Sequence, residues 1–149
     1  GWRDFIRWAG LIEYLDTHFR KPLQPVPGDR FSLLVARLEG DRDGVKRREL
    51  IREIESLPGL RVVPIDRIVL LGGWDVDAAI LAGHDQARRY VAQTGASAVI
   101  WGTAPKEGVR SLHWTPAPGA GRDREVPHDF WSDKVGGTGA LVANFEGAR

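Results

Sequence analysis

Asp41 and Asp43 in EGDRDG are the first groups in this chain with the type and spacing to hold a divalent cation, because Mg²⁺ and Ca²⁺ take carboxylate oxygens. Arg42 stands between them, and the distal glutamate of an EF-hand loop is missing. The simpler reading is a solvated turn that starts a helix, with Asp43 as its N-cap. Asp75 and Asp77, beside Gly72-Gly73, raise the same two readings, and helix capping by one of them is again the simpler. Cations gather just after the first pair, in KRRELIR with Arg42 before it, and again at Arg88-Arg89. A solvated helix face is the default for such runs. Arg47 and Arg48 are nonetheless the cations placed to meet an acidic partner or a nucleotide phosphate. Trp74 follows the glycine pair, and a large aromatic in a loop serves an interface as readily as a core. The candidate binding residues are therefore Asp41, Asp43, Arg47, Arg48, Trp74 and Asp75.

Other chemistry finds less support. VGGTGA at 135–140 is glycine-rich, yet Lys134 precedes the glycines where a phosphate loop needs Gly-Lys-Ser/Thr at its end. His18, His84, His113 and His128 fall on different elements, and no pair has the close spacing of a helical zinc site. No serine lies in a nucleophile-elbow context. With no cysteine in the chain, disulfides, thiolate metal sites and cysteine nucleophiles are excluded. No cofactor and no metal are expected.

These residues need elements to carry them. Phe31–Leu38 is an apolar, β-rich run expected to be a central strand. A helix follows, with Val45, Leu50, Ile54 and Leu57 on its apolar face, ended by Pro58-Gly59. LRVVPI is the next strand, where Pro64 lacks a backbone donor and so belongs at an edge or a strand end. IVLLGGWD reads as a short strand or loop. A helix from about Asp77 to Thr94 has Ile80, Ala87, Val91 and Thr94 on its buried side, with Gly95 as its C-cap. SAVIWG and VRSLHWT form a hairpin with one face on the core and Trp101 buried, and PAPGAGRDREVP is a polar loop. A short helix near Asp129 to Val135 and an apolar segment at Ala140 to Phe145 complete the pattern.

Ahead of this unit, Trp2, Phe5, Ile6, Ala9, Ile12, Leu15 and Phe19 recur at spacings of three and four, an amphipathic helix over 1–21. It docks on this domain's core, meets a neighbouring domain, or lies on an anionic membrane surface through Arg3, Arg7, Arg20 and Lys21. A proline-rich linker, 22–30, separates it from an α/β domain over 31–149. The expected fold is thus α/β: a small mixed β-sheet flanked by helices, in the order strand-helix-strand-helix-hairpin.

Composition bounds the function. At 149 residues, 42% hydrophobic and 28% charged, the chain has the makeup of one globular domain. A formal net charge of +1 gives no general basic excess for a nucleic-acid partner. No apolar stretch approaches the ~20 residues of a membrane span. The chain begins at Gly1 and contains no Met, which reads as a piece of a longer polypeptide. The compartment stays open, with cytoplasm favoured over periplasm.

SLLVARLEGD, LPGLRVVPIDR, ARRYVAQTGASAVIWGTA and EGVRSLHWT, taken in order, resemble the amino-terminal domain of the TolB family and the related CsgG- and FlgO-type domains. The resemblance covers Phe31 to Thr115. The first strand reads LLVARL where those domains usually carry VLPF. What the resemblance implies is a non-catalytic binding or assembly domain of a larger bacterial-type signalling or envelope protein. Its partner would be a protein, a small ligand or neighbouring domains of the same polypeptide. Two other readings stand beside it: a nucleotide-processing enzyme fragment using the acidic turns and a metal, and a self-association scaffold forming a homo-oligomer.

Overall fold

The computed structural model of the chain describes residues 22–106 and 110–126. The expected amphipathic helix over 1–21, the glycine-rich segment at 135–140, the expected C-terminal helix, His18, His128 and Trp131 lie outside the described residues.

The described residues form a small α/β fold, a five-stranded mixed sheet with one helix on each face. In chain order the elements are β1 (Phe31–Arg37), α1 (Val45–Glu55), β2 (Leu60–Ile68), α2 (Val76–Thr94), β3 (Ala98–Thr103), β4 (Ser111–Pro116) and β5 (Arg124–Glu125). The spatial order is β2-β1-β3-β4-β5, with β1 parallel to both of its neighbours and the last two pairings antiparallel. The first crossover steps outward from β1 to β2, and the second steps back in the opposite direction, past β1 to β3. Crossovers of the same hand that step in opposite directions must lie on opposite faces of the sheet. The core divides accordingly: Leu33 and Val35 pack with Leu50 and Ile54 of α1, and Leu34 and Ala36 pack with Ala87, Tyr90 and Val91 of α2. Alternation along one strand thus feeds two cores, which explains why the middle of β1, Leu33 to Ala36, is apolar without interruption. No helix among the described residues is long and apolar enough to cross a membrane.

Several local expectations need correction. Val45 is 41% exposed, so the buried face of α1 is Leu50 and Ile54, with Leu57 packed against them from beyond its end. β2 runs on to Ile68 rather than ending near Ile65. Its register on β1 slips between Val35–Pro64 and Arg37–Ile68, so β2 carries extra residues at a bulge. Pro64 sits in this edge strand, where a missing donor is tolerated. The hairpin has two covered faces, not one: Leu112 and Trp114 join the α1 side, and His113 and Thr115 are buried beneath α2. Within the expected polar loop, β5 pairs with β4 and Val126 is buried. The proline-rich segment is also anchored: Val26 N–H donates to Thr94 O at 2.8 Å, and Leu23 and Val26 pack on the α2 core.

Candidate functional site

The strand order reverses at β1, with β2 on one side and β3 on the other, and ligands of open α/β sheets bind beyond the strand C-termini at such a point. Here that edge is the turn Glu39–Gly44 after β1, the loop after β2 and the end of β3. Glu39 N–H donates to Gly102 O at 2.9 Å, and Ala104 N–H donates to Glu39 O at 2.8 Å, which fixes the turn against β3. Two clefts open on either side of it. One, of about 350 Å³, is lined by Arg37, Arg42, Arg47 and Arg48 with Asp41 and Asp43. The other, of about 780 Å³, is lined by Arg42, Lys46, Lys106 and Arg110 with Asp43 and Glu49.

The groups named from sequence have distinct roles here. Asp41, not Asp43, caps α1: its carboxylate accepts from Lys46 N–H at 3.2 Å and from Arg47 N–H at 3.1 Å. Gly44, left-handed at φ +72°, occupies the N-cap position itself and has no side chain to offer. The chain therefore reaches back to the carboxylate before the turn, which fills the place an exogenous anion would take at this helix N-terminus. Arg47 is also structural. Its Nη1 donates to Ile65 O at 2.9 Å and to Val35 O at 3.4 Å, so it holds the two strands together where their register slips. Asp43 and Arg48 remain exposed at the cleft. Asp75 is the N-cap of α2, accepting from Ala78 N–H at 3.2 Å. Trp74, 80% exposed, precedes it, and neither residue lines either cleft. Four of the six candidates therefore meet around one turn and two do not.

Glu39 begins this edge but is not one of the six binding candidates named from the sequence. It is half-buried at the end of β1, and burial raises its carboxyl above the ordinary value, partly offset by Leu71 N–H, which donates to Oε2 at 3.4 Å. It ties the loop after β2 to the turn after β1. Its signal in the sequence is a lone acid directly after an apolar strand.

A second polar group, also outside those six candidates, lies buried between α2 and the hairpin. Trp101 Nε1 donates to Thr115 Oγ1 at 2.8 Å, and the same hydroxyl lies 2.7 Å from His84 Nδ1. An indole only donates, so the hydroxyl accepts from it, while its contact with His84 Nδ1 runs in the direction that the tautomer of that ring sets. Trp101 stacks on His113 with centroids 4.4 Å apart, and the two imidazoles meet edge-on at 5.5 Å. His113 Nε2 lies 3.1 Å from Ser111 Oγ, while its buried Nδ1 has no hydrogen-bond partner among the described residues. Burial, and then the neighbouring His84, lower the His113 pKa to about 4. Burial also lowers that of His84, against the pull of Asp123, whose Oδ1 is 3.9 Å away and which Arg88 holds in a two-pronged ion pair. A hydroxyl beside an imidazole is the beginning of a nucleophile–base pair. The other ring nitrogen of His84 has no hydrogen-bond partner among the described residues, and Trp101 and His113 meet its ring edge-on. Among the described residues no three His, Asp or Glu side chains gather as a metal-ligand set. No family model, curated protein or solved structure matches the chain.

Proposed function

We propose that this chain is a non-catalytic binding or assembly domain, of the TolB-like kind its strand and helix order resembles, within a larger signalling or envelope protein. The observation that carries this reading is the pair of clefts that share the Glu39–Gly44 turn where the strand order reverses. The groups there diverge instead of converging on one reacting atom: Asp41 serves backbone N–H groups, Arg47 serves carbonyls, and Arg42, Asp43 and Arg48 face solvent. Such a surface suits recognition by many weak contacts. The recognition residues of this reading are Arg42, Asp43 and Arg48, with Asp41 and Arg47 as the frame that positions them.

A photoreactive residue at Asp43 or Arg48 in the full chain, compared with one at Glu55 at the far end of α1, tests the reading. Partner adducts that form from the first two positions and not from the third are the expected result. Equal adducts from all three, or none, would remove the strand edge as the recognition surface.

A further inference from the structure

The two clefts differ sharply in charge from the chain as a whole. Their lining contains seven basic side chains (Arg37, Arg42, Lys46, Arg47, Arg48, Lys106, Arg110) and three acidic ones (Asp41, Asp43, Glu49). Over the whole sequence Lys and Arg number 21 against 20 Asp and Glu, so the local excess is a feature of placement and not of composition. Part of it is used internally. Arg37 lies 2.7 Å from Asp66, Lys46 Nζ donates to Pro105 O at 3.2 Å, and Arg47 holds the bulge. Among the described residues the side chains of Arg42, Arg48 and Lys106 have no ion-pair or hydrogen-bond partner. On the acidic side Asp41 is engaged by two backbone N–H groups.

Resting on the recognition reading above, we infer that the partner presents an extended acidic segment that crosses the Gly40–Gly44 turn and places carboxylates against Arg42 and Arg48 on one side and Lys106 on the other. Three features favour a peptide over a nucleotide or a nucleic acid. The helix N-terminus that would hold a phosphate is already filled by Asp41. The described lining of the two clefts includes no aromatic ring on which a base would stack. The cations are spread along two open clefts with a turn between them, which matches charges repeated along a chain better than one compact phosphate.

The test uses fluorescence anisotropy of a labelled twelve-residue oligo-glutamate with the full chain, repeated at rising salt. Binding that weakens with salt is expected, because exposed charges are screened beyond a Debye length of about 8 Å at physiological ionic strength. The double variant Arg42→Glu with Arg48→Glu is expected to weaken it by about tenfold or more, and Lys106→Glu alone by several-fold. Arg89→Glu, on exposed α2 and away from both clefts, is expected to leave it unchanged. The inference is overturned by absence of binding, by an equal loss with Arg89→Glu, or by tighter binding of a single-stranded oligonucleotide of the same length. If oligo-glutamate fails while adducts still form at Asp43, the recognition surface stands and only its acidic chemistry is wrong. If both fail, the underlying reading falls too.

Discussion

Replacing Thr115 by Val tests the buried network at its centre. The side chain is fully buried, and its one hydroxyl serves two groups, the indole N–H of Trp101 at 2.8 Å and Nδ1 of His84 at 2.7 Å. Valine has nearly the same shape, so the substitution removes the hydrogen bonds and little else. Trp101 has no means of turning its N–H elsewhere. His113 stacks on one face, and the ring lies directly over Gly83 of α2, where a Cβ would stand 2.3 Å from its outer carbon. Each buried polar group left without a partner costs about 1–3 kcal/mol, so the pair gives about 2–6 kcal/mol for Thr115→Val. Thr115→Ser keeps the hydroxyl and loses one buried methyl, about 1 kcal/mol. Urea unfolding followed by tryptophan fluorescence resolves the two: at about 2 kcal/mol per molar urea, the Val variant moves the midpoint down by about 1–3 M and the Ser variant by about 0.5 M. A Val variant as stable as the Ser variant would show that the hydroxyl is not what holds α2 to the hairpin.

The same network sets an acid limit. A histidine whose folded pKa is depressed contributes stability that is complete above its unfolded value of about 6.5 and is lost as pH falls toward the folded value. With His113 at about 4, the loss runs between about pH 6.5 and about pH 4 and amounts to about 3 kcal/mol at most, with His84 adding in the same direction. Urea midpoints across this range check it: His113→Gln is expected to flatten the slope, and an unchanged slope would assign the acid sensitivity elsewhere. At the strand edge, Asp41→Ala removes the carboxylate that caps α1 and is expected to cost about 0.5–2 kcal/mol, against less than about 0.5 kcal/mol for Asp43→Ala. Thermal melts of the two single variants measure that difference, and the opposite order would restore Asp43 as the cap.

How far the sequence revealed all this depends on how local each feature is. Periodicity in Phe31–Leu38 and in the 76–94 segment is written in consecutive residues, so the first four strands, both helices and the Gly95 cap are legible, and the N-cap of α2 narrows to Asp75 or Asp77. The choice between Asp41 and Asp43 is not legible, because it depends on the left-handed turn at Gly44, which gives no carboxylate of its own and brings the earlier one back over the helix. The structural role of Arg47 is hidden for a related reason. An arginine in a basic run looks solvated until the slip in the β1–β2 register presents it with the carbonyl of Ile65, and no pattern within α1 shows that slip. The histidine cluster is wholly non-local. His84 does lie on the arc of α2 that also carries Ala87 and Val91, a three-and-seven spacing that marks a buried position. Its partner His113 is fixed only by the pairing of β4 with β3, which sets His113 opposite Trp101.

At this sheet edge a side chain that looks chemical in sequence is often one that the fold needs, and Asp41 and Arg47 are both of that kind. On the proposed reading, what remains for recognition is the set the backbone does not use, Arg42, Arg48 and Lys106, together with exposed Asp43. A frame that fixes its own turn with one carboxylate and one guanidinium holds the remaining cations at a settled spacing, so less ordering entropy is lost when a partner arrives. By the same argument, changes to the frame weaken binding through the fold, whereas changes to Arg42 or Arg48 leave the fold intact. Stability and affinity measured on the same variants separate the two groups, and only the second group reports on the partner.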